Sequence, residues 1–209
     1  MKSRPIIFSG PMVKAILDGK KTQTRRVINP APYQVEGSNL WFIKRGNLAF
    51  GLPDGTELCT QALALWSVCP YGKCGDRLWV RETWAAFNTG YYDRPEMGVF
   101  YRADGEQDRI DRGRWRPSIH MPRKYSRIDL EICSVRVERL QEITLSDVAT
   151  EGWPDAPIEK SVWLNELQDL ADNGFAWYRG LWDLLNAKRG HSWESNPWVW
   201  AISFRRLSP

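Results

Sequence analysis

The chain has 209 residues, 43% hydrophobic and 26% charged, close to an average globular composition and too apolar for global disorder. That length suits one domain, or one domain with insertions. No apolar run approaches the roughly 20 residues of a membrane-spanning helix. The N-terminal MKSRPIIFSGPM lacks the apolar stretch of a secretory signal, so a cytoplasmic protein with no membrane partner is expected.

In chain order, Arg4 to Phe8 reads as a short strand. Gly10-Pro11 opens a helix with proline at its first position; Met12, Ile16 and Leu17 give it one apolar side, and Gly19 stops it. Thr22 to Val27 leaves as a strand, with Thr22, Thr24 and Arg26 on one face and Gln23 and Arg25 on the other. Residues 29–70 read as a hairpin-rich insertion, with short alternating runs such as Leu40 to Ile43. Gly75-Asp76 marks a turn into a strand over Arg77 to Trp84. From Ala85 to Arg127 the chain is polar and turn-rich, with a short strand near Val99 to Arg102. Ile128 to Leu140 alternates, and its phase change near Cys133-Ser134 predicts a bulge. Thr144 and Asp147 make a capping-box-like pair for a short helix ending at Glu151-Gly152. Two helical stretches follow, about Lys160 to Ala171 and Phe175 to Lys188. Trp198 to Arg205 is the closing strand, with Trp198, Trp200, Ile202 and Phe204 on one face. Strands so far apart, with few helices between them, predict an α+β fold: a mixed β-barrel flanked by helices and closed by pairing of the first and last strands.

A net charge of +4 permits contact with phosphates without requiring it, although Arg112, Arg114, Arg116, Arg123, Lys124 and Arg127 crowd one stretch. Most of the 12 tryptophans belong in the core, and one or two are available to stack on a base. Cys69 and Cys74 flank Pro70-Tyr71-Gly72-Lys73, with Cys59 upstream and Cys133 apart. His120 and His191 lie far from them, so reduced thiols are favoured over a zinc site, and no metal or cofactor is expected. There is no Gly-rich phosphate loop, HExxH or GxSxG, which leaves kinase, Rossmann, zinc-protease and α/β-hydrolase readings without support.

The most informative segment is Leu17-Asp18-Gly19-Lys20-Lys21-Thr22-Gln23-Thr24-Arg25-Arg26. It resembles the signature of the ASCH family, a Gly, a Lys two residues later and an Arg further on, matched here by Gly19, Lys21 and Arg26. Thr24 stands where that family often has Glu. In this it is similar to a subgroup of ASCH proteins, the N4-acetylcytidine amidohydrolases, which also place Lys and Thr three residues apart. Gly75-Asp76-Arg77-Leu78-Trp79-Val80, Leu145 to Gly152 and Trp198 to Phe204 look like further parts of an ASCH domain, as found in larger bacterial and prophage members. The resemblance implies a single PUA-like barrel domain over 1–209, with insertions at about 29–70, 85–125 and 153–190 beyond a minimal ASCH domain.

It also implies an activity, the removal of an acyl group from N4-acylated cytosine nucleosides. Such hydrolysis needs a nucleophile, a proton acceptor and an oxyanion stabiliser. Thr24 would attack and Lys21 would take the proton if burial or a cationic neighbour lowers its pKa. Glu151, by resemblance, would orient Lys21 or relay the proton, with Glu82 as its rival and as a substrate contact. A carboxylate beside Lys21 would work against its role as a base. Arg26 and the loop residues Ser118, His120, Arg123 and Tyr125 would hold a modified cytosine nucleoside or RNA. Without the resemblance the same residues read as a solvated turn, a helix-end acid and a structural loop. A non-enzymatic RNA-binding ASCH module and a ribonuclease are the alternative functions.

Overall fold

The computed structural model describes residues 1–34, 36, 41–45, 48–52, 69–86, 98–105, 113–154 and 164–207. Leu40, Cys59, Arg112 and the first residues (160–163) of an expected helix lie outside them. Strand β1 (Ser3–Ile7) leads into helix α1 (Gly10–Leu17), which has Pro11 in its first turn and buries Val13 and Ile16. Gly19 then takes φ +73°, a conformation that suits a residue without Cβ, and β2 (Gln23–Val27) departs. The first insertion holds a small antiparallel sheet of β3 (Tyr33–Gln34), β4 (Trp41–Arg45) and β5 (Leu48–Leu52).

The strand expected over Arg77 to Trp84 is broken in two, β6 (Arg77–Arg81) and β7 (Trp84–Ala86). At the break the Glu82 carboxylate is buried against Arg127, and its N–H donates to the Met121 sulfur instead of a ladder partner. β8 (Val99–Tyr101) pairs with β7. The long β9 (Asp129–Arg139) carries the expected bulge. Its partner β10 (Trp198–Arg206) matches Ser203 to Ser134 and Phe204 to Ile132, leaving Cys133 as the extra residue. The bulge moves the inward positions from Leu130 and Ile132 to Val135 and Val137, so both halves of the strand reach one core.

Between β9 and β10 lie α2 (Leu145–Thr150) and α3 (Leu164–Asn186). The capping box is present: Asp147 N–H donates to the Thr144 hydroxyl, and the Asp147 carboxylate accepts from the Thr144 N–H. The two expected helical stretches are one helix. Gly174, at the anticipated gap, is helical and packs closely, since a Cβ there would sit 3.1 Å from both Leu145 and Trp153.

The main sheet has five strands in the order β1-β6-β9-β10-β2, antiparallel except for the β1/β6 pair. The fold is therefore α+β. The expected pairing of first and last strands does not occur: β1 pairs with β6, β10 pairs with β2, and β1 and β2 are the sheet's two edges. Across that gap Arg26 donates to the Ile7 carbonyl at 2.6 Å. β10 is buried on both faces. Trp198, Trp200, Ile202 and Phe204 join α1 and the sheet interior in one core, while Val199 packs with Val148, Tyr178 and Trp182 in a second core under α2 and α3. Cys69 and Cys133 are reduced thiols, but the expectation of four reduced thiols fails at Cys74, which is disulfide-bonded. Sequence proximity to Cys69 does not decide the pairing, because Cys69 is committed to the sheet core.

Candidate active site

The site forms where the turn after α1 meets the end of α2. The backbones of Lys21 and Glu151 form an antiparallel bridge, and Thr22 N–H donates to the Thr150 carbonyl at 2.8 Å. Gly152 makes the approach possible: at φ +97° its absent Cβ would lie 3.1 Å from Lys21 Cβ and 3.2 Å from Ala15 Cβ. Residues 130 apart in sequence are thus clamped together. Lys21 Nζ donates to the Glu151 carbonyl (2.8 Å) and to Glu151 Oε2 (2.6 Å), with the lysine side chain wholly removed from solvent.

Two opposing effects act on that amine. Burial disfavours the ammonium most strongly, and the Arg25 and Arg26 charges add to it, while Glu151 favours the charged form. The net result holds the Lys21 pKa below the ordinary lysine range.

Arg25 reaches the other Glu151 oxygen, Nη1 to Oε1 at 3.3 Å. Its Nε donates to Glu138 at 2.9 Å, and its Nη2 lies 2.6 Å from Glu138 and 3.0 Å from Asp147, charge contacts off the hydrogen-bond direction. Asp147 also accepts from Gln23 (2.6 Å) and Arg136 (3.0 Å). Burial pushes the Asp147 carboxyl upward, but Arg25, Thr144 and Arg136 outweigh it and hold the pKa low. Tyr178 of α3 is buried beside this network. Desolvation, reinforced by Glu151, keeps its phenol protonated well above the usual range.

A cavity of about 700 Å³ opens at the unpaired edge between β1 and β2. Because β2 is an edge strand, residues from both of its faces reach the same space: Thr24 and Arg26 from one, Arg25 from the other. Thr24 is 3% exposed and Glu151 4%, so both lie deep. Ser118 and Thr83 form one side, and α3 forms the opposite wall through Tyr178 and Trp182.

Of the residues singled out from sequence, Thr24, Arg26, Ser118 and Glu151 line this cavity, and Lys21 sits behind Glu151. Glu82, His120, Arg123 and Tyr125 do not line it. Glu82 is paired with Arg127 at 2.9 and 3.0 Å. Arg123 is paired with Asp129, His120 is exposed, and Tyr125 packs on Trp84 at 4.8 Å between ring centroids. Glu82, Arg123 and Tyr125 thus have partners of their own away from the cavity. The α3 wall has no counterpart among the residues singled out from sequence. Its signal was the spacing of Tyr178, Trp182 and Leu185 along one helical face. Among the described residues no cluster of His, Cys, Asp and Glu is arranged to hold a metal, and no helix is long and apolar enough to cross a membrane.

No protein-family model, no curated protein and no solved structure matches this chain.

Proposed function

We propose that the protein is a PUA-like, ASCH-type amidohydrolase that removes the acyl group from an N4-acylated cytosine, with Thr24 as nucleophile and Lys21 as base. The observation that carries this reading is the buried Lys21–Glu151 pair beside Thr24's cavity, in which desolvation weakens the lysine's hold on its proton. In the proposed course, Thr24 Oγ attacks the acyl carbon and its proton passes to the neutral Lys21 amine. The tetrahedral intermediate collapses, the C–N bond breaks, and the exocyclic amine leaves with that proton. Water then cleaves the threonyl ester, releasing the carboxylic acid and restoring Thr24. Glu151 holds Lys21 in place, and Arg25 fixes the far oxygen of Glu151. A PUA-like barrel fits the approach of the sheet's two edge strands, which Arg26 spans by donating to the Ile7 carbonyl.

Purified protein is expected to deacetylate N4-acetylcytidine, followed by ultraviolet absorbance, and to keep this activity in the presence of a chelator. Lys21→Ala and Thr24→Ala should each lower turnover by about 100-fold or more. Absence of turnover across several acyl chains rejects the reading. In that event a second reading, RNA binding without catalysis, gains support from the cation–aromatic contacts of Arg116 over Trp84 (5.0 Å) and Lys124 over Tyr125 (4.9 Å). Such binding would weaken steeply with salt.

A further inference from the structure

The two ends of the cavity differ in depth and in charge. At its floor Thr24, Glu151, Tyr178 and Trp182 are all buried. At its mouth, just past the C-terminal end of α3, Arg189 is exposed and His191 is half-buried. Glu151 is the one carboxylate among the lining residues, and it is already engaged by Lys21 and Arg25. The cations are not balanced in the same way. Arg189 has no ion-pair partner among the described residues. Arg26 donates to Ile7, yet its Nε is buried with no hydrogen-bond partner among the described residues. A concave site with excess positive charge concentrates anions. A volume of about 700 Å³ is in the upper part of the roughly 300–1,000 Å³ range that encloses a drug-sized ligand.

We propose that the mouth is a phosphate subsite: with the acylated base on the floor, the ribose directs a phosphate to Arg189 and His191, and the substrate is a nucleotide. The cytosine in this statement rests on the amidohydrolase reading; the subsite itself does not. The guanidinium fork of Arg189 matches phosphate oxygens, and His191 supplies an imidazole donor. The carbonyls at the end of α3 oppose an anion. The Asn186 amide is directed to the Trp182 carbonyl at 3.1 Å. Recognition therefore falls to the two side chains beyond the helix.

The test is calorimetric titration of the full chain at low salt with cytidine, cytidine 5′-monophosphate and a cytidine dinucleotide. The wild type should bind the monophosphate roughly 10–100-fold more tightly than cytidine, the worth of one charge-assisted hydrogen bond. Arg189→Ala should remove most of this preference and Arg189→Ala/His191→Ala all of it, with cytidine affinity unchanged as evidence of an intact fold. A dinucleotide that binds like the monophosphate extends the subsite to diesters, and weaker binding restricts it to monoesters. Equal affinity for cytidine and its monophosphate, binding of neither, or a preference that survives the double substitution overturns the proposal. Turnover of N4-acetylcytidine and its 5′-phosphate, measured in parallel, separates the two claims. Phosphate-selective binding without turnover removes the hydrolase and keeps the subsite. Equal turnover with equal binding does the reverse.

Discussion

A lysine amine with no solvent contact keeps its proton only where neighbouring negative charge makes up for lost hydration. At Lys21 the compensation is partial, because Glu151 is shared with Arg25 and two guanidinium groups lie nearby. The consequence for pH follows from the sign of the shift. A base acts in its neutral form, so kcat/KM should rise with pH through the lowered Lys21 pKa and reach a plateau below the ordinary lysine range. In Lys21→Arg, which stays charged, that limb should vanish together with activity. A profile falling over the same interval would mean that Lys21 acts as an acid. Arg25 has the complementary task. Its charge, distributed over Glu151, Glu138 and Asp147, fixes the carboxylate on which Lys21 rests.

At the scale of elements, the site depends on the end of α2 meeting the turn before β2. Gly152 decides how closely they approach, since its φ of +97° and its 3.1 Å virtual Cβ contact with Lys21 exclude a side chain twice over. Gly152→Ala should cost about 1–3 kcal/mol in a denaturant titration. It should also lower turnover more than this loss accounts for, because Lys21 is pushed off Glu151. A variant of unchanged stability and activity would show that the loop relaxes freely. The start of α2 was legible in the Thr144-x-x-Asp147 spacing, because capping is settled by groups three residues apart. The far side of the site was not. α3 runs through Gly174, where it packs against Leu145 and Trp153, neighbours that no local pattern announces.

In the whole molecule, two hydrophobic cores lie on opposite faces of β10, and the cavity wraps the edge of the strand beside it. Trp182 belongs to both the second core and the cavity wall, and its indole N–H donates to the His191 carbonyl at 2.8 Å. Trp182→Ala should therefore destabilise the protein by about 3–5 kcal/mol in urea unfolding. It should also release His191 from the mouth. A loss below about 1 kcal/mol would mean that α3 is not an integral layer of the fold.

Sequence by itself determined what neighbouring residues settle: the first helix and its glycine stop, the β9 phase change at Cys133, the cap of α2 and the inward alternation of β10. Tertiary structure alone decided that Glu151 rather than Glu82 faces Lys21, that β1 and β2 remain unpaired edges with a cavity between them, and that α3 supplies the opposite wall. The reason is physical: periodicity and capping act over one turn or one pleat. The Lys21–Glu151 contact instead joins residues 130 positions apart and exists only once the sheet and helices have packed.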